Sequence, residues 1–253
     1  MRQHEIWNAR SQSVVISNDL VQKKRYKLTL MEQKVLLYMI SKIKPDDSPM
    51  TEYVFNIKQF CEVCGLNTKC GTYKQRLAEI LLKLAAKPLD IKYENGRLIT
   101  HWFADAEFDD IKNEFKVSFS RKIAPYLFEI QTFYTLIGEL EYILPFESGY
   151  ALRLYEFLKS IQSLKFKHCY TLEELKDAID CDKYKNYADF RLYVLEPAMK
   201  DINAFTDIQV EYKPIKTGRK ITHIEFTIIP VNNDTMIVKR MMNRKKALSS
   251  GNE

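Results

Sequence analysis

One order of elements is legible twice along this chain: helix, strand, helix, turn, helix, two-stranded hairpin. In the first pass, Ser17-Asn18-Asp19 can cap a short helix, and Thr29 and Glu32 have the spacing of a capping box. Leu30, Val35, Leu36, Met39, Ile40 and Ile43 then form a broad apolar stripe. Lys44-Pro45-Asp46-Asp47-Ser48-Pro49 stops the helix, and the alternation of Tyr53, Phe55 and Ile57 predicts a short strand. Ile57, Phe60, Cys61 and Cys64 line one face of a further helix, which Gly65 can close. A longer helix from near Thr72 carries Tyr73, Leu77, Ile80, Leu81 and Leu84 and ends at Pro88. Leu89 to Tyr93 and Arg97 to Phe103 read as strands joined across Glu94-Asn95-Gly96, an Asn-Gly hairpin signal. Phe115 to Phe119 is a further strand that can pair with them, and Arg121 to Ile130 and Thr132 to Leu144 are expected to be helical.

Pro145 and Ser148-Gly149 mark the expected boundary between two domains. The second pass begins with Ala151, Leu154, Tyr155, Leu158 and Ile161 at helical spacing. Thr171 and Glu174 form another capping-box pair, ahead of Leu172, Leu175 and Ile179. A turn through Cys181 leads to a helix from near Lys185 to Asn203. Pro197, which lacks an amide donor, should kink that helix or start a new one. A strand over Asp207 to Tyr212, a basic loop KPIKTGRK and a strand over Ile221 to Ile229 follow. Cys64 and Cys181 are 117 positions apart (181 − 64), as are Ile91 and Ile208 (208 − 91). The repeated order predicts two copies of one supersecondary unit.

Several function classes are disfavoured by what 253 residues do not contain. There is no GxxxxGK[ST] run and no GxGxxG. His4, His101, His168 and His223 are scattered singly, so fifteen tyrosines lack the histidine pair that a rolling-circle nickase would need. Cys61 and Cys64 have zinc-ligand spacing, and Cys70 could be a third ligand, but no fourth is near. Asp105, Glu107, Asp109 and Asp110 form an acidic cluster that an exposed loop between strands explains as well as a metal does. Five cysteines, an odd number, and a polar start without an apolar core suggest free thiols in a reducing cytoplasm. No apolar run suits a membrane span.

A formal charge of +6 permits a nucleic-acid partner. Lys213, Lys216, Arg219 and Lys220 fall within the eight residues of the basic loop, with no acidic residue among them. Ile208, Val210 and Tyr212 alternate before it, and Ile224, Phe226 and Ile228 after it. The strands therefore bury one face and hold the loop in water, where it can touch phosphates. On the preceding helix, Phe190, Val194 and Ala198 should pack inward. The opposite face carries Lys185, Asp189, Leu192 and Glu196, with Arg191 on the flank. Lys183, Lys185 and Arg191 are candidates for phosphate and base-edge contacts, since such helices read bases from their amino-terminal end. Asp189 and Glu196 could serve in sequence-specific readout, where a carboxylate accepts from cytosine. The residues after Ile229, with Lys239, Arg240, Arg244, Lys245 and Lys246, read as a solvated tail or a basic arm.

The segments SVVISNDLVQKKRYKLTLMEQKVLLYMISKI, SGYALRLYEFLKSIQ and FRLYVLEPAMKDINAFTDIQVEYKPIKTGRKITHIEFTI resemble the plasmid replication initiators of the Rep_3 (RepB-like) family. The resemblance runs from about Val14 to Ile229. It implies an α+β fold of two tandem winged-helix domains: 1–144, with DNA contacts and dimerisation; 145–230, the main DNA-reading unit; and a polar basic tail, 231–253. It implies binding to iterons in double-stranded plasmid origin DNA, origin opening, recruitment of host replication initiator and helicase proteins, and autorepression. A monomer–dimer equilibrium goes with that behaviour: dimers repress the promoter and monomers bind iterons. Carried over, the second-domain readers fall within Lys183 to Arg191 and Lys213 to Lys220, and the first-domain counterparts are Lys69, Lys74 and Arg76. The family is not enzymatic, and no cofactor or membrane is implied. The alternative readings are a winged-helix repressor without an initiator role and, from another class, a nicking enzyme. Direct repeats of about twenty base pairs, roughly two helical turns, favour the initiator, and a lone inverted repeat favours the repressor.

Overall fold

The computed structural model describes residues 3–25, 27–44, 46–69, 71–128, 134–162 and 167–232, with 234–236, 238, 239 and 241 beyond them. The chain forms two compact units, Met1–Leu140 and Glu141–Glu253. The first opens with α1 (Gln3–Arg10), β1 (Ser13–Ser17), α2 (Asn18–Lys23) and β2 (Lys24–Arg25). Then come α3 (Leu30–Ile40), β3 (Glu52–Asn56), α4 (Ile57–Cys64), α5 (Tyr73–Ala86), β4 (Leu89–Tyr93), β5 (Gly96–Thr100), β6 (Phe103–Asp109) and β7 (Glu114–Phe119). A 3-10 turn (Arg121–Ile123), α6 (Ala124–Leu127) and β8 (Tyr134–Glu139) follow, and α7 (Leu140–Ile143) starts at the last residue of this unit and continues into the second.

The first capping box forms as its spacing predicts. The Thr29 hydroxyl accepts from Glu32 N–H at 3.3 Å, and Thr29 N–H donates to Glu32 Oε2 at 2.7 Å. Helix α3 is then buried from Glu32 to Ile40. Its Tyr38 meets Phe55 and Phe60, and Phe115 completes the cluster, with Phe55 stacked on Phe115 at 5.0 Å between ring centres. Gly65 closes α4 in the left-handed conformation, φ +77°, which a side chain would strain.

In the second unit, α8 (Gly149–Ile161) is buried along most of its length. It is followed by β9 (Lys167–Thr171), α9 (Leu172–Ala178), α10 (Tyr187–Phe190), a π-turn (Arg191–Leu195), α11 (Glu196–Phe205), β10 (Ile208–Thr217) and β11 (Lys220–Pro230). The three strands form one antiparallel sheet in the order β10-β11-β9. The Thr171–Glu174 capping box forms at the start of α9.

Each unit thus carries the repeated order, α3-β3-α4-turn-α5-β4-β5 and α8-β9-α9-turn-α10/α11-β10-β11. The constant spacing of 117 does not survive. The left-handed residues that close the two turns are Gly65 and Asp180, 115 apart (180 − 65), and the wings start at Leu89 and Ile208, 119 apart (208 − 89). The extra length lies in the second unit's longer reading helix.

Other expectations are corrected. Strand β8 occupies part of the helix expected over Thr132 to Leu144, and pairs antiparallel with β1, a strand with no forecast. Thr135 and Ile137 are buried while Tyr134 and Leu136 are exposed, the alternation of a strand, and Gly138 has φ +91°. Residues 132 and 133, and the end of the expected Arg121 to Ile130 helix, lie outside the described residues. Strand β7 pairs with β3 and β6, whereas β4 and β5 pair with β2. Asp105, Glu107 and Asp109 stand on strand β6, at the edge of its sheet, and not in a loop. Exposed charge on an edge strand discourages further pairing. The β4–β5 turn is Glu94-Asn95, since Tyr93 pairs with Gly96, and neither turn residue has the positive φ of an Asn-Gly turn.

Candidate nucleic-acid interface

The reading helix of the second unit starts with a cap. Asn186 Oδ1 accepts from Asp189 N–H at 2.8 Å, and Asn186 Nδ2 donates to Asp189 Oδ2 at 2.7 Å. The expected cytosine acceptor Asp189 therefore works as part of the helix start. Phe190, Val194 and Ala198 are buried, as their spacing predicts.

Pro197 neither breaks nor sharply ends the helix. It cannot donate to the carbonyl four residues back, and the turn ahead of it widens. Glu196 N–H bonds to Arg191 O, five residues back, and the backbone stays right-handed through Leu195 and Glu196. Arg191, Leu192 and Tyr193 on this π-turn are all exposed. The Arg191 guanidinium lies 3.5 Å from the Glu196 carboxylate, so this second expected acceptor is engaged by a neighbouring cation. Tyr193 stacks on Tyr184 at 5.3 Å, and the ammonium of Lys183 sits 5.2 Å from the Tyr184 ring. Lys183 and Lys185 are exposed just before the helix, and the Lys185 carbonyl accepts from Lys176 Nζ at 2.9 Å.

The wing is longer than its sequence suggests. KPIKTGRK is no loop: the ladder runs through Lys213↔Glu225, Lys216↔Ile221 and Thr217↔Lys220, leaving only Gly218 and Arg219 as the turn. Gly218 has φ +62° and Arg219 does not share it, the pattern of a type II′ hairpin turn. Pro214 fits because β10 is an edge strand. Lys213, Lys216, Arg219 and Lys220 are all exposed, so the four cations are spread along a twisted ribbon and its tip. A bulge between Ile215 and Lys216 leaves Thr222 unpaired in the ladder, and its hydroxyl meets that of Thr217 at 2.8 Å.

Helix and wing are joined by polar contacts that sequence reading missed. The Asn203 amide bonds both backbone groups of Val210, at 2.9 and 2.7 Å, filling the open edge of β10. Asp207 accepts from Tyr155 at 2.8 Å and from Lys159 at 2.7 Å, which ties the junction to α8. Burial, with the Asp207 charge second, raises the Tyr155 hydroxyl pKa well above its ordinary value, so it remains a donor. Part of the tail is not a solvated arm. Asn232 caps a turn, Met236 is buried, and Lys239 Nζ donates to Thr206 O at 2.7 Å, the end of the reading helix. Burial lowers the Lys239 pKa, opposed by Asp207. Arg240, Arg244, Lys245 and Lys246 lie outside the described residues.

The first unit's candidates are differently placed. Lys69 lies in the turn, and Lys74 and Arg76 in the first turn of α5. Lys74 Nζ is 3.6 Å from Asp110, so part of that charge is answered within the unit. Its wing pairs Arg97 with Asp90 at 2.8 Å and carries Glu94 at the tip. Cys61 and Cys64 are buried; burial pushes the Cys61 thiol up to about 12 and Cys64 higher still. They are core thiols, Cys70 lies outside the described residues, and among the described residues no group of His, Cys, Asp and Glu is arranged to hold a metal. Among those residues, likewise, no helix is long and apolar enough to cross a membrane.

Residues 13–159 match the family described as "Initiator Replication protein, WH1", and residues 171–228 match "Initiator Rep protein, WH2". A replication initiation protein of Escherichia coli is 27% identical over 234 residues, covering 86% of this chain and 70% of that protein. Among solved structures, the Pi initiator protein in complex with iteron DNA superposes with a TM-score of 0.70 at 18% identity. That match covers 89% of this chain and 99% of the other. Domains 2 and 3 of RctB give a TM-score of 0.49 at 11% identity, over 83% of this chain and 86% of theirs.

Proposed function

The chain belongs to the Rep3 family of plasmid replication initiators, and from that premise we propose that it binds iterons in duplex origin DNA through the second unit's helix and wing. The observation that carries the reading is the second unit's ribbon, with Lys213, Lys216, Arg219 and Lys220 exposed beside a helix whose start is exposed and cationic. Cations on such a ribbon bind phosphates by releasing counterions, while the helix supplies base contacts. The fold likeness to the Pi initiator, which was solved on iteron DNA, supports the same assignment. Lys69, Lys74 and Arg76 add contacts from the first unit. Several copies on tandem repeats then use binding energy, with no catalytic step, to strain and open an adjacent AT-rich segment. Host initiator and helicase proteins are recruited there, monomers bind iterons, and dimers repress the promoter. The protein works in the bacterial cytoplasm.

Footprinting the full-length protein on the DNA flanking its own gene tests this. Protection of direct repeats of about twenty base pairs, roughly two helical turns, is expected. Protection of a lone inverted repeat, or none, overturns the initiator reading. Supercoiled DNA incubated with the protein and divalent metal should stay unnicked; nicks that depend on one tyrosine would overturn the non-catalytic reading.

A further inference from the structure

The exposed face of the second reading helix is not only charged. Ala188 and Leu192 are exposed, and residues four apart share one face of a helix. Leu192 is 50% exposed, and Tyr193 beside it 53%. A single exposed leucine is ordinary on a protein surface. Here the apolar stripe has a specific setting. Lys183 and Lys185 precede it, and the Arg191–Glu196 pair bounds its other end. The cations of the wing belong to the same unit. Tyr193, next to Leu192 in the chain, is stacked on Tyr184. Three consecutive residues of the widened turn before Pro197, Arg191 to Tyr193, are exposed.

A cationic surround suits a polyanion, and the one apolar group that duplex DNA offers in its major groove is the thymine 5-methyl. We propose that Ala188 and Leu192 are specificity-determining residues that contact thymine methyl groups, so that this helix selects bases by apolar contact as well as by its cations. The proposal rests on the DNA-binding reading above but not on iterons as the target.

The test uses the full-length protein and a duplex that it selects from a random-sequence pool. Each thymine is replaced in turn by deoxyuridine, which pairs alike and lacks only the methyl. At one or two positions the wild type should lose about fourfold in affinity per methyl. Leu192→Ala should bind thymine and deoxyuridine equally at one of them, with an unchanged thermal melt because the side chain is exposed. Equal binding of every thymine and deoxyuridine probe by the wild type overturns the proposal. So does an equal deoxyuridine loss in Leu192→Ala. A dimer of the free protein that Leu192→Ala abolishes, with no methyl dependence, assigns the stripe to a second copy and also overturns it. Selection of a single preferred sequence absent from the flanking DNA breaks the iteron reading and leaves this one standing. Failure to select any sequence breaks both.

Discussion

The two units share a helix-turn-helix held by the same devices and differ in what they hang on it. In the first, Arg10 donates to the carbonyls of Glu62 and Val63, at the end of α4. In the second, Arg153 donates to the carbonyl of Ala178, at the end of α9. The turns then close alike: Leu66 N–H bonds to Cys61 O, and Cys181 N–H to Lys176 O, each at 2.8 Å. The wings part company. Strands β4 and β5 are five residues each, with an internal ion pair; β10 and β11 are ten and eleven residues, with free-standing cations near their tip. A shared scaffold with unequal wings implies unequal roles, and substitutions can break or sharpen that contrast.

The largest effect should come from the arginines. Arg153 and Glu156 are both buried and paired at 3.1 Å. Arg153→Met leaves the carboxylate buried and should cost about 3–5 kcal/mol. Arg10→Met removes charged hydrogen bonds to the carbonyls of Glu62 and Val63 and should cost about 1.5–3 kcal/mol. Urea unfolding followed by a probe in each unit would check both, and equal losses would erase the distinction. Next in size is the wing. Changing Lys213, Lys216, Arg219 and Lys220 to alanine should weaken binding to all DNA. The slope of log K against log salt should flatten by roughly 0.9 for each phosphate that is no longer neutralised. The matching change of Lys92 and Arg97 in the first wing should leave that slope nearly as it was.

Much of this architecture was legible in the chain. Both capping boxes, the apolar faces of α4, α5 and α8, and Gly65 follow local rules, and local rules decide those elements. The errors have long-range causes. Thr132 to Leu144 reads as helical, and only pairing with β1, more than a hundred residues away, makes a strand of its middle. KPIKTGRK has the composition of a loop, and its strand character comes from the partner opposite and from an edge that tolerates Pro214. The cations of the candidate interface stand out by charge alone, whereas Asn203, which bonds helix to wing, Asp207, which ties their junction to α8, and Lys239, which ties the tail to the helix end, carry no signal before the fold is known.

Smaller differences remain between the two turns. Gly65 sits at φ +77° without strain, whereas Asp180 holds φ +56° with a side chain. Gly65→Ala should destabilise the first unit by about 1 kcal/mol, and Asp180→Gly should change the second by less, because aspartate already tolerates the left-handed region. A larger shift in thermal unfolding for Gly65→Ala than for Asp180→Gly would bear this out, and equal shifts would not. The smallest effect concerns acid. The Glu174 carboxyl is held below its ordinary 4.5, chiefly by hydrogen bonds from Thr171. Its contribution is therefore present above 4.5 and lost as pH falls through the lowered value. Amide exchange in α9 should speed up there, and Glu174→Gln should remove that dependence.

Strand β9 supports β11 only over His223 to Thr227, so beyond that stretch the ribbon is two strands thick. Past the last three-stranded rung, Lys216 and Thr217 of β10 and Lys220 to Thr222 of β11 project, roughly 7–10 Å at strand spacing. A beam clamped at its root bends most at its free end, and a two-stranded ribbon twists more than a broad sheet. The charges nearest the tip, on Arg219 and Lys220, can therefore settle onto a curved and irregular backbone while the root beside Asn203 stays in register with the helix.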